Sequence, residues 1–150
     1  MNHQLIKMKL FQTCINFVDQ RLLTTTNAMK SLQKALLSET KSSAGDKHET
    51  GRAMIQMEME KASQQFESIH QMKKLLSKIE LRTTGHIISL GSLIETDKGR
   101  YYLSISMGEV EVEGIQYYCI STSSPIGQQL LGKTVRDSIP FNKSKITAIF

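Results

Sequence analysis

The stretch MKLFQTCINFVDQRLLTTTNAMKSLQKAL, residues 8–36, decides how the first half of this chain folds. Its apolar side chains recur at alternating steps of three and four residues, and only one member of the series is polar. A repeat of this kind over about four heptads predicts a long helix with a coiled-coil seam. No Gly or Pro interrupts residues 1–44. The seam positions are Met8, Phe11, Ile15, Val18, Leu22, Thr25, Met29, Leu32 and Leu36.

A second run with the same spacing begins directly after the polar segment KSSAGDKHETGRAM, residues 41–54. Two heptad helices joined by a short segment fold back most economically as an antiparallel hairpin, in which each covers the stripe of the other. The alternative is a coiled coil between chains, such as a dimerisation stalk. We expect a hairpin over residues 1–80 with its tip at about 41–49. The second stripe comprises Ile55, Met59, Ala62, Phe66 and Ile69, then Met72, Leu76 and Ile79 in a shifted phase.

From Gly85 onward, short strand-like segments replace the heptad pattern of the first half. Segments of strand length rich in β-branched and aromatic residues predict a small α+β domain over residues 85–150, with a mainly antiparallel sheet. One short helix is expected in it, with Ser124 as N-cap, Pro125 at the first helical position and Gly132 ending it. The predicted strands are HIISLGSLIET (86–96), RYYLSIS (100–106), IQYYCIS (115–121), SIPF (138–141) and SKITAIF (144–150).

Composition narrows the class of protein. Charged residues are 22% and apolar residues 39%, which is typical of a globular chain. No run is apolar enough to span a membrane and none resembles a signal peptide, so we expect a cytoplasmic protein without a membrane partner. Cys14 and Cys119 are isolated in sequence and predict neither a disulfide framework nor a metal site.

The net charge is +5. Residues 1–45 carry six basic and two acidic side chains, a surplus of four that suits a protein working beside nucleic acid.

Two motifs resemble those of the Gre-type transcript cleavage factors, which assist bacterial RNA polymerase. SAGDKHET, residues 43–50, is similar to the Gre signature of Gly-Asp, two residues and then Glu at the start of the second helix. SSPIGQQLLGKTVRDSI, residues 123–139, resembles the Ser-Pro segment of that family with its following Leu-x-Gly-Lys and, four residues later, Asp. The resemblance covers essentially the whole chain. It implies an N-terminal antiparallel coiled coil and a C-terminal FKBP-like domain.

The resemblance also implies a mechanism. The globular domain would dock at the rim of the polymerase secondary channel, and the coiled coil would reach toward the polymerase active site. There Asp46 and Glu49 would help to hold a second Mg²⁺ and to orient a water, so that the polymerase cleaves the 3′ end of backtracked RNA. Carboxylates are the hard oxygen ligands that such chemistry requires. The chain would then be a monomeric accessory factor, not an enzyme. It would have no cofactor of its own, because the polymerase supplies the Mg²⁺.

Two further groups of residues take roles from the resemblance. Ser123, Ser124 and Pro125 would lie in the surface that grips the polymerase rim, although Ser123 stands where the family often has Asp or Asn. Arg136 stands where a Gly commonly precedes the family's Asp. A basic strip along the coiled coil would contact RNA phosphates; its members are Lys30, Lys34, Lys41 and Arg52.

Each role has a competing interpretation. Asp46 and Glu49 have the spacing of a capping box that begins a helix, and the basic strip could be a solvated flank. A Gre homologue could also occupy the channel as an inhibitor or as another regulator without stimulating cleavage. An FKBP-like domain could instead serve as a prolyl isomerase or chaperone, although the C-terminal half has no Trp and only Phe141 and Phe150 as its Phe residues. A dimerising scaffold is the last alternative.

Overall fold

The structure, a computed structural model, describes residues 2–41, 45–82 and 85–150, without the side chains of residues 40, 41 and 45–48. Two long helices come first, α1 over His3–Lys41 with 39 residues and α2 over Gly45–Ser77 with 33. Six strands and one short helix follow. They are β1 Leu93–Thr96, β2 Arg100–Ser104, β3 Gly108–Val112, β4 Ile115–Ser121, α3 Pro125–Leu130, β5 Ser138–Ile139 and β6 Ser144–Ile149. The mixed α+β class and the helical hairpin are confirmed.

The two long helices pack against each other within one chain. Close to the end of α2 the Nζ atom of Lys73 lies 3.4 Å from Oδ1 of Asp19 on α1. Further along, a Cβ atom placed on Gly51 would lie 3.4 Å from the Glu39 carboxylate, so the helices also approach closely there. The apolar stripes of α1 and α2 thus meet within one chain. Their most buried members are Val18, Thr25, Ala62 and Ile69.

The stripe at the start of α1 differs from the expected heptad seam. Met8 was expected in the seam, and its side chain is 49% exposed, whereas that of Leu10 is fully buried. The buried positions there follow steps of four residues instead. Both stripes are apolar in the sequence, so periodicity alone could not choose between them. The sheet makes the choice, because the Cys14 side chain contacts strands β2 and β4. The buried series is Ile6, Leu10, Cys14 and Val18.

The sheet has the strand order β3-β4-β2-β1-β6-β5. Neighbouring strands are antiparallel except β2 and β4, which pair in parallel with Tyr102 opposite Cys119. Side chains along β2 alternate between the two faces of the sheet. Leu103 joins the core cluster beneath α3, and Ser104 on the opposite face lies against α1. The sheet is therefore covered on both faces. The cluster beneath α3 comprises Ile88, Ile94, Tyr101, Leu103, Ile126, Leu130, Ile139 and Ile146.

Two strand predictions are corrected. Of the segment expected to be a strand over residues 86–96, only Leu93–Thr96 pairs in the sheet. The residues before it form a turn, in which the N–H of Ser92 donates to the carbonyl of Ser89 at 3.0 Å and Gly91 has a φ of +91°. Strand β3 was not predicted, because its sequence GEVEV is rich in Glu and Gly, residues depleted in strands. It lies at an edge of the sheet, where its Glu side chains reach solvent.

Contacts within the chain define two compact units. The first contains Met1–Phe17 and Lys74–Phe150, and the second contains Val18–Lys73. The base of both long helices thus belongs with the sheet, whereas the domain bounds 1–80 and 85–150 remain a prediction from sequence. Helix α1 contributes to both units. No helix within the described ranges is long and apolar enough to cross a lipid bilayer.

The stripe assignment predicts a contrast between two neighbouring side chains. Leu10→Ala should lower the free energy of unfolding by about 2–5 kcal/mol, because it leaves a cavity at a fully buried site. Met8→Ala, at a half-exposed site, should change it by no more than about 0.5 kcal/mol. Urea unfolding monitored by circular dichroism measures both. A larger cost for Met8→Ala than for Leu10→Ala would restore the heptad seam and contradict the packing described here.

Candidate functional site

The first turns of α2 carry the two acidic residues that the sequence marks as a catalytic pair. The helix begins at Gly45, so Asp46 lies in its first turn and Glu49 follows three residues later. Residues three apart on a helix share nearly one face. The Glu49 side chain is exposed, and that of Asp46 lies outside the described residues.

Glu39 of α1 lies near this end of α2, at the contact with Gly51. Sequence reasoning did not single out Glu39, because one Glu among polar residues has no motif or periodic signal. The carboxylates of Glu39 and Glu49 therefore both belong to the closed end of the hairpin. Among the side chains that the structure describes, which exclude that of Asp46, no three His, Cys, Asp or Glu gather as a potential metal site.

The predicted basic strip is only partly described. Lys30 and Lys34 are exposed and four residues apart on α1, so they lie on one face of that helix. Arg52 is exposed on α2. The side chain of Lys41 lies outside the described residues. All three described members are thus available to solvent, as either an RNA contact or a solvated flank would require.

The Ser-Pro segment begins α3 as predicted. Ser124 is the N-cap residue, and its hydroxyl oxygen accepts a hydrogen bond from the N–H of Gly127 at 3.1 Å. The same hydroxyl donates to the carbonyl of Ser121 at 2.7 Å, which ties the helix start to the end of β4. Pro125 occupies the first helical position, and Gly132 has a φ of +83° just beyond the last turn. The exposed Ser123 shares a 3.0 Å hydrogen bond with the hydroxyl of Ser121.

Gly127 is a structural requirement of this segment that sequence reasoning missed. A Cβ atom at this position would lie 1.9 Å from the carbonyl oxygen of Ser121, a distance at which atoms overlap. The helix start can therefore sit directly on the end of β4 only with Gly here. A Gly in the first turn of a short helix was the available signal, since Gly disfavours helices unless close packing requires it.

The turn after α3 holds Arg136 in a backbone conformation that suits glycine. Arg136 has a φ of +79°, which is costly for a residue with a side chain. Its N–H donates to the carbonyl of Ile146 at 2.8 Å, which fixes the turn against β6. The Asp137 carboxylate accepts hydrogen bonds from the N–H and the hydroxyl of Thr134, at 2.8 and 3.2 Å. These two bonds, the backbone one first, lower the pKa of Asp137 below its ordinary value. Glycine is the residue best suited to the backbone of Arg136.

Exposed apolar side chains lie around the end of α3. Leu131 follows the helix directly and is 46% exposed. Phe141, 58% exposed, is held beside α3 because its N–H donates to Oε1 of Gln129 at 2.7 Å. Ile87 is also 58% exposed and precedes Ile88, whose N–H donates into the segment after α3. The sequence predictions placed Ile87 and Phe141 in strands, so sequence reasoning offered no signal for this surface.

Comparisons with known proteins give little beyond this geometry. No protein-family model matches the chain, and no curated protein matches it. Among solved structures, that of the transcription factor Gfh1 is similar, with 22% sequence identity and a TM-score of 0.31 over 93% of this chain and 92% of that chain. A TM-score of 0.31 does not establish a shared fold, so this likeness decides neither the fold nor the function of this chain.

The strained turn predicts a stabilising substitution. Arg136→Gly should raise the free energy of unfolding by about 0.5–1 kcal/mol, since the relief of left-handed strain exceeds the added backbone entropy of the unfolded chain. Arg136→Ala is the matched control, because it removes the charge and keeps the Cβ atom. Thermal unfolding of the three proteins measures the effect. Equal stability of the Gly and Ala variants would show that the backbone at this position is unstrained.

The helix cap predicts that two adjacent serines differ. Ser124→Ala should lower the free energy of unfolding by about 0.5–2 kcal/mol, because it removes the acceptor for the Gly127 N–H. Ser123→Ala removes an exposed hydroxyl and should change stability by no more than about 0.5 kcal/mol. Chemical denaturation separates the two. Equal effects would mean that the cap hydrogen bond does not stabilise α3.

Proposed function

We propose that this protein is a transcription elongation factor of the Gre type, which binds bacterial RNA polymerase and stimulates cleavage of backtracked RNA. The observation that carries the proposal is the acidic pair in the first turns of α2, at the closed end of a helical hairpin. Asp46 and Glu49 share nearly one face of the helix, and Glu49 is exposed to solvent. The Gre-like motif of this segment and the Ser-Pro motif of α3 support the same assignment.

The length of the hairpin suits insertion into a channel. Residues 18–41 of α1 belong to the second unit and span roughly 36 Å at the rise of an α-helix. Residues 45–73 of α2 run alongside them. A paired rod of this length can carry groups at its end into a narrow passage that a globular domain cannot enter.

The carboxylates fit the chemistry of phosphodiester hydrolysis. Asp and Glu oxygens are the ligands that Mg²⁺ prefers, and one or two carboxylates with substrate oxygens and waters complete a typical site. Mg²⁺ supplied with the polymerase would stabilise charge on the scissile phosphate. In this proposal Asp46 binds the ion and Glu49 orients the attacking water by accepting its proton in a hydrogen bond. The protein is then an accessory factor to the polymerase and not an independent nuclease.

Docking is assigned to the surface around α3. The exposed Ser123 and Pro125 begin this surface, and the exposed apolar side chains of Leu131 and Phe141 extend it along the helix end. Exposed apolar groups rimmed by polar ones are typical of protein interaction sites. Ser124 supports the surface from within, since its hydroxyl holds the helix start in place.

The basic strip would add affinity for the RNA. Lys30 and Lys34 on α1 and Arg52 on α2 are exposed, and Lys41 continues the series toward the tip. Contacts of Lys and Arg with phosphates give binding that is independent of sequence and weakens as salt rises. Such contacts would hold the extruded RNA near the acidic pair without reading its bases.

The decisive experiment measures RNA cleavage in a stalled, backtracked elongation complex with Mg²⁺. The wild-type protein should accelerate release of 3′ fragments, and Asp46→Asn and Glu49→Gln should each reduce this acceleration at least tenfold, which is about 1.4 kcal/mol of transition-state stabilisation. The matched control is Glu58→Gln, which removes an exposed carboxylate from the same helix away from the tip and should leave the rate unchanged. Binding of each variant to polymerase is measured in parallel.

Each result assigns the protein to one class. Loss of cleavage with intact binding establishes the acidic pair as the group that acts in the polymerase. Binding of the wild-type protein that only slows RNA synthesis would make it an inhibitor with the same docking mode. No binding to polymerase would overturn the proposal and leave Asp46 and Glu49 as residues of a helix start.

A further inference from the structure

The two cysteines, isolated in sequence, lie side by side in the first compact unit. The thiol of Cys14 on α1 donates to Sγ of Cys119 on β4 at 3.9 Å, although 105 residues separate them. Their side chains are 0% and 1% exposed. Their spacing along the chain gave no indication of this proximity, which arises because the stripe of α1 that packs on the sheet contains Cys14. The chain has no other cysteine.

The surroundings of the pair are polar as well as buried. The hydroxyl of Ser104 lies 3.6 Å from Sγ of Cys14. The hydroxyl of Tyr102, whose residue is fully buried, has no hydrogen-bond partner among the described residues. Tyr102 lies opposite Cys119 in the parallel pairing of β2 with β4, so both side chains lie on the same face of the sheet. Burial, followed by the charges of Cys14 and Cys119, raises the pKa of Tyr102. Two thiols and two hydroxyls therefore share one enclosed region of the core.

The geometry is close to that of a disulfide. A disulfide has an S–S distance of about 2.05 Å, so the two sulfurs, now 3.9 Å apart, need to approach by about 1.9 Å. Each sulfur moves by rotation about a single side-chain bond. Rotations of both side chains can each contribute to this approach.

The two thiols also differ in acidity. Once Cys14 ionises, the Cys119 thiol donates a hydrogen bond to it, and this bond lowers the pKa of Cys14. Burial acts in the opposite direction, and the hydrogen bond with Ser104 lowers the pKa further. The hydrogen bond between the two sulfurs, together with burial, raises the pKa of Cys119. The first proton is thus lost from Cys14. Because the thiolate is the nucleophile in sulfur oxidation, Cys14 is the attacking residue and Cys119 the resolving one.

We propose that Cys14 and Cys119 form an oxidation-sensitive thiol pair, which a peroxide converts into an intrachain disulfide between α1 and β4. A peroxide is the class of oxidant that suits the site, because it is close in size to water and both sulfurs are buried. Bulky disulfide reagents would not reach either sulfur while the core is closed.

The reaction balances with one peroxide. The Cys14 thiolate attacks one peroxide oxygen, the O–O bond breaks, and the released hydroxide takes up a proton to leave as water; Cys14 is then a sulfenic acid. The Cys119 sulfur attacks the sulfenic sulfur, the S–O bond breaks, and the hydroxyl leaves with the Cys119 proton as a second water. Two thiols lose two electrons in total, and the peroxide oxygens gain them. A dithiol reductant reverses the cross-link by thiol–disulfide exchange.

The first test measures the covalent state by mass spectrometry. Native wild-type protein is treated with hydrogen peroxide, unfolded in N-ethylmaleimide and weighed intact. The expected product is a monomer that has lost two hydrogen masses and carries no maleimide adduct, and a parallel oxidised sample unfolded in dithiothreitol before alkylation should carry two adducts. Cys14→Ala and Cys119→Ala are the matched controls, because neither can close an intrachain disulfide. Each should retain one alkylatable thiol or gain oxygen at it.

The second test measures stability, which a mere chemical modification would not raise. A cross-link that closes a loop of about 105 residues restricts the unfolded chain, so the oxidised form should melt roughly 5–15 °C higher than the reduced form. Two alkylatable thiols after peroxide, added oxygen in place of lost hydrogen, or disulfide-linked dimers would each overturn the proposal. A disulfide that lowers the melting temperature would also overturn it, since the native packing would then not accommodate the bond. The test is independent of polymerase binding and of RNA cleavage.

Discussion

The fold depends on one helix whose apolar surface serves two partners. At its start α1 buries a series with steps of four residues against the sheet, and from Val18 onward it buries the coiled-coil seam against α2. A step of four residues exceeds one helical turn, so such a stripe winds slowly around the helix axis. Leu10 and Cys14 can thus face the sheet while Thr25, farther along the same helix, faces α2. Val18 belongs to both series.

Sequence reasoning recovered the elements whose signals are local. The heptads predicted two long helices, and Ser124, Pro125 and Gly132 predicted α3 with its cap and its end. Sequence reasoning gave the wrong result where contacts between distant residues decide the structure. The stripe through Met8 and the stripe through Leu10 are equally apolar, and only the sheet selects between them. The strand β3 and the parallel pairing of β2 with β4 likewise depend on neighbours that periodicity does not reveal.

The candidate site could be located from sequence but not completed. The motif around Gly45 places Asp46 and Glu49 at the start of α2, because a glycine among polar residues interrupts an otherwise continuous pair of helices. It could not indicate that Glu39 approaches Gly51 from the other helix, since that contact joins distant residues. In the same way, the sequence showed that Arg136 stands where the motif has Gly. The positive φ of Arg136 shows the physical consequence, because glycine adopts this backbone conformation without strain and Arg does not.

The separation between Cys14 and Cys119 has a consequence during protein synthesis. The strand that covers the start of α1 is made 105 residues after it. At roughly 5–20 residues per second, the ribosome takes about 5–20 s to produce that strand. Over this interval the apolar stripe of α1 that will face the sheet has no sheet to pack against. The nascent protein therefore exposes this stripe until the later strands are made, and the first unit completes its core only as its last strands emerge.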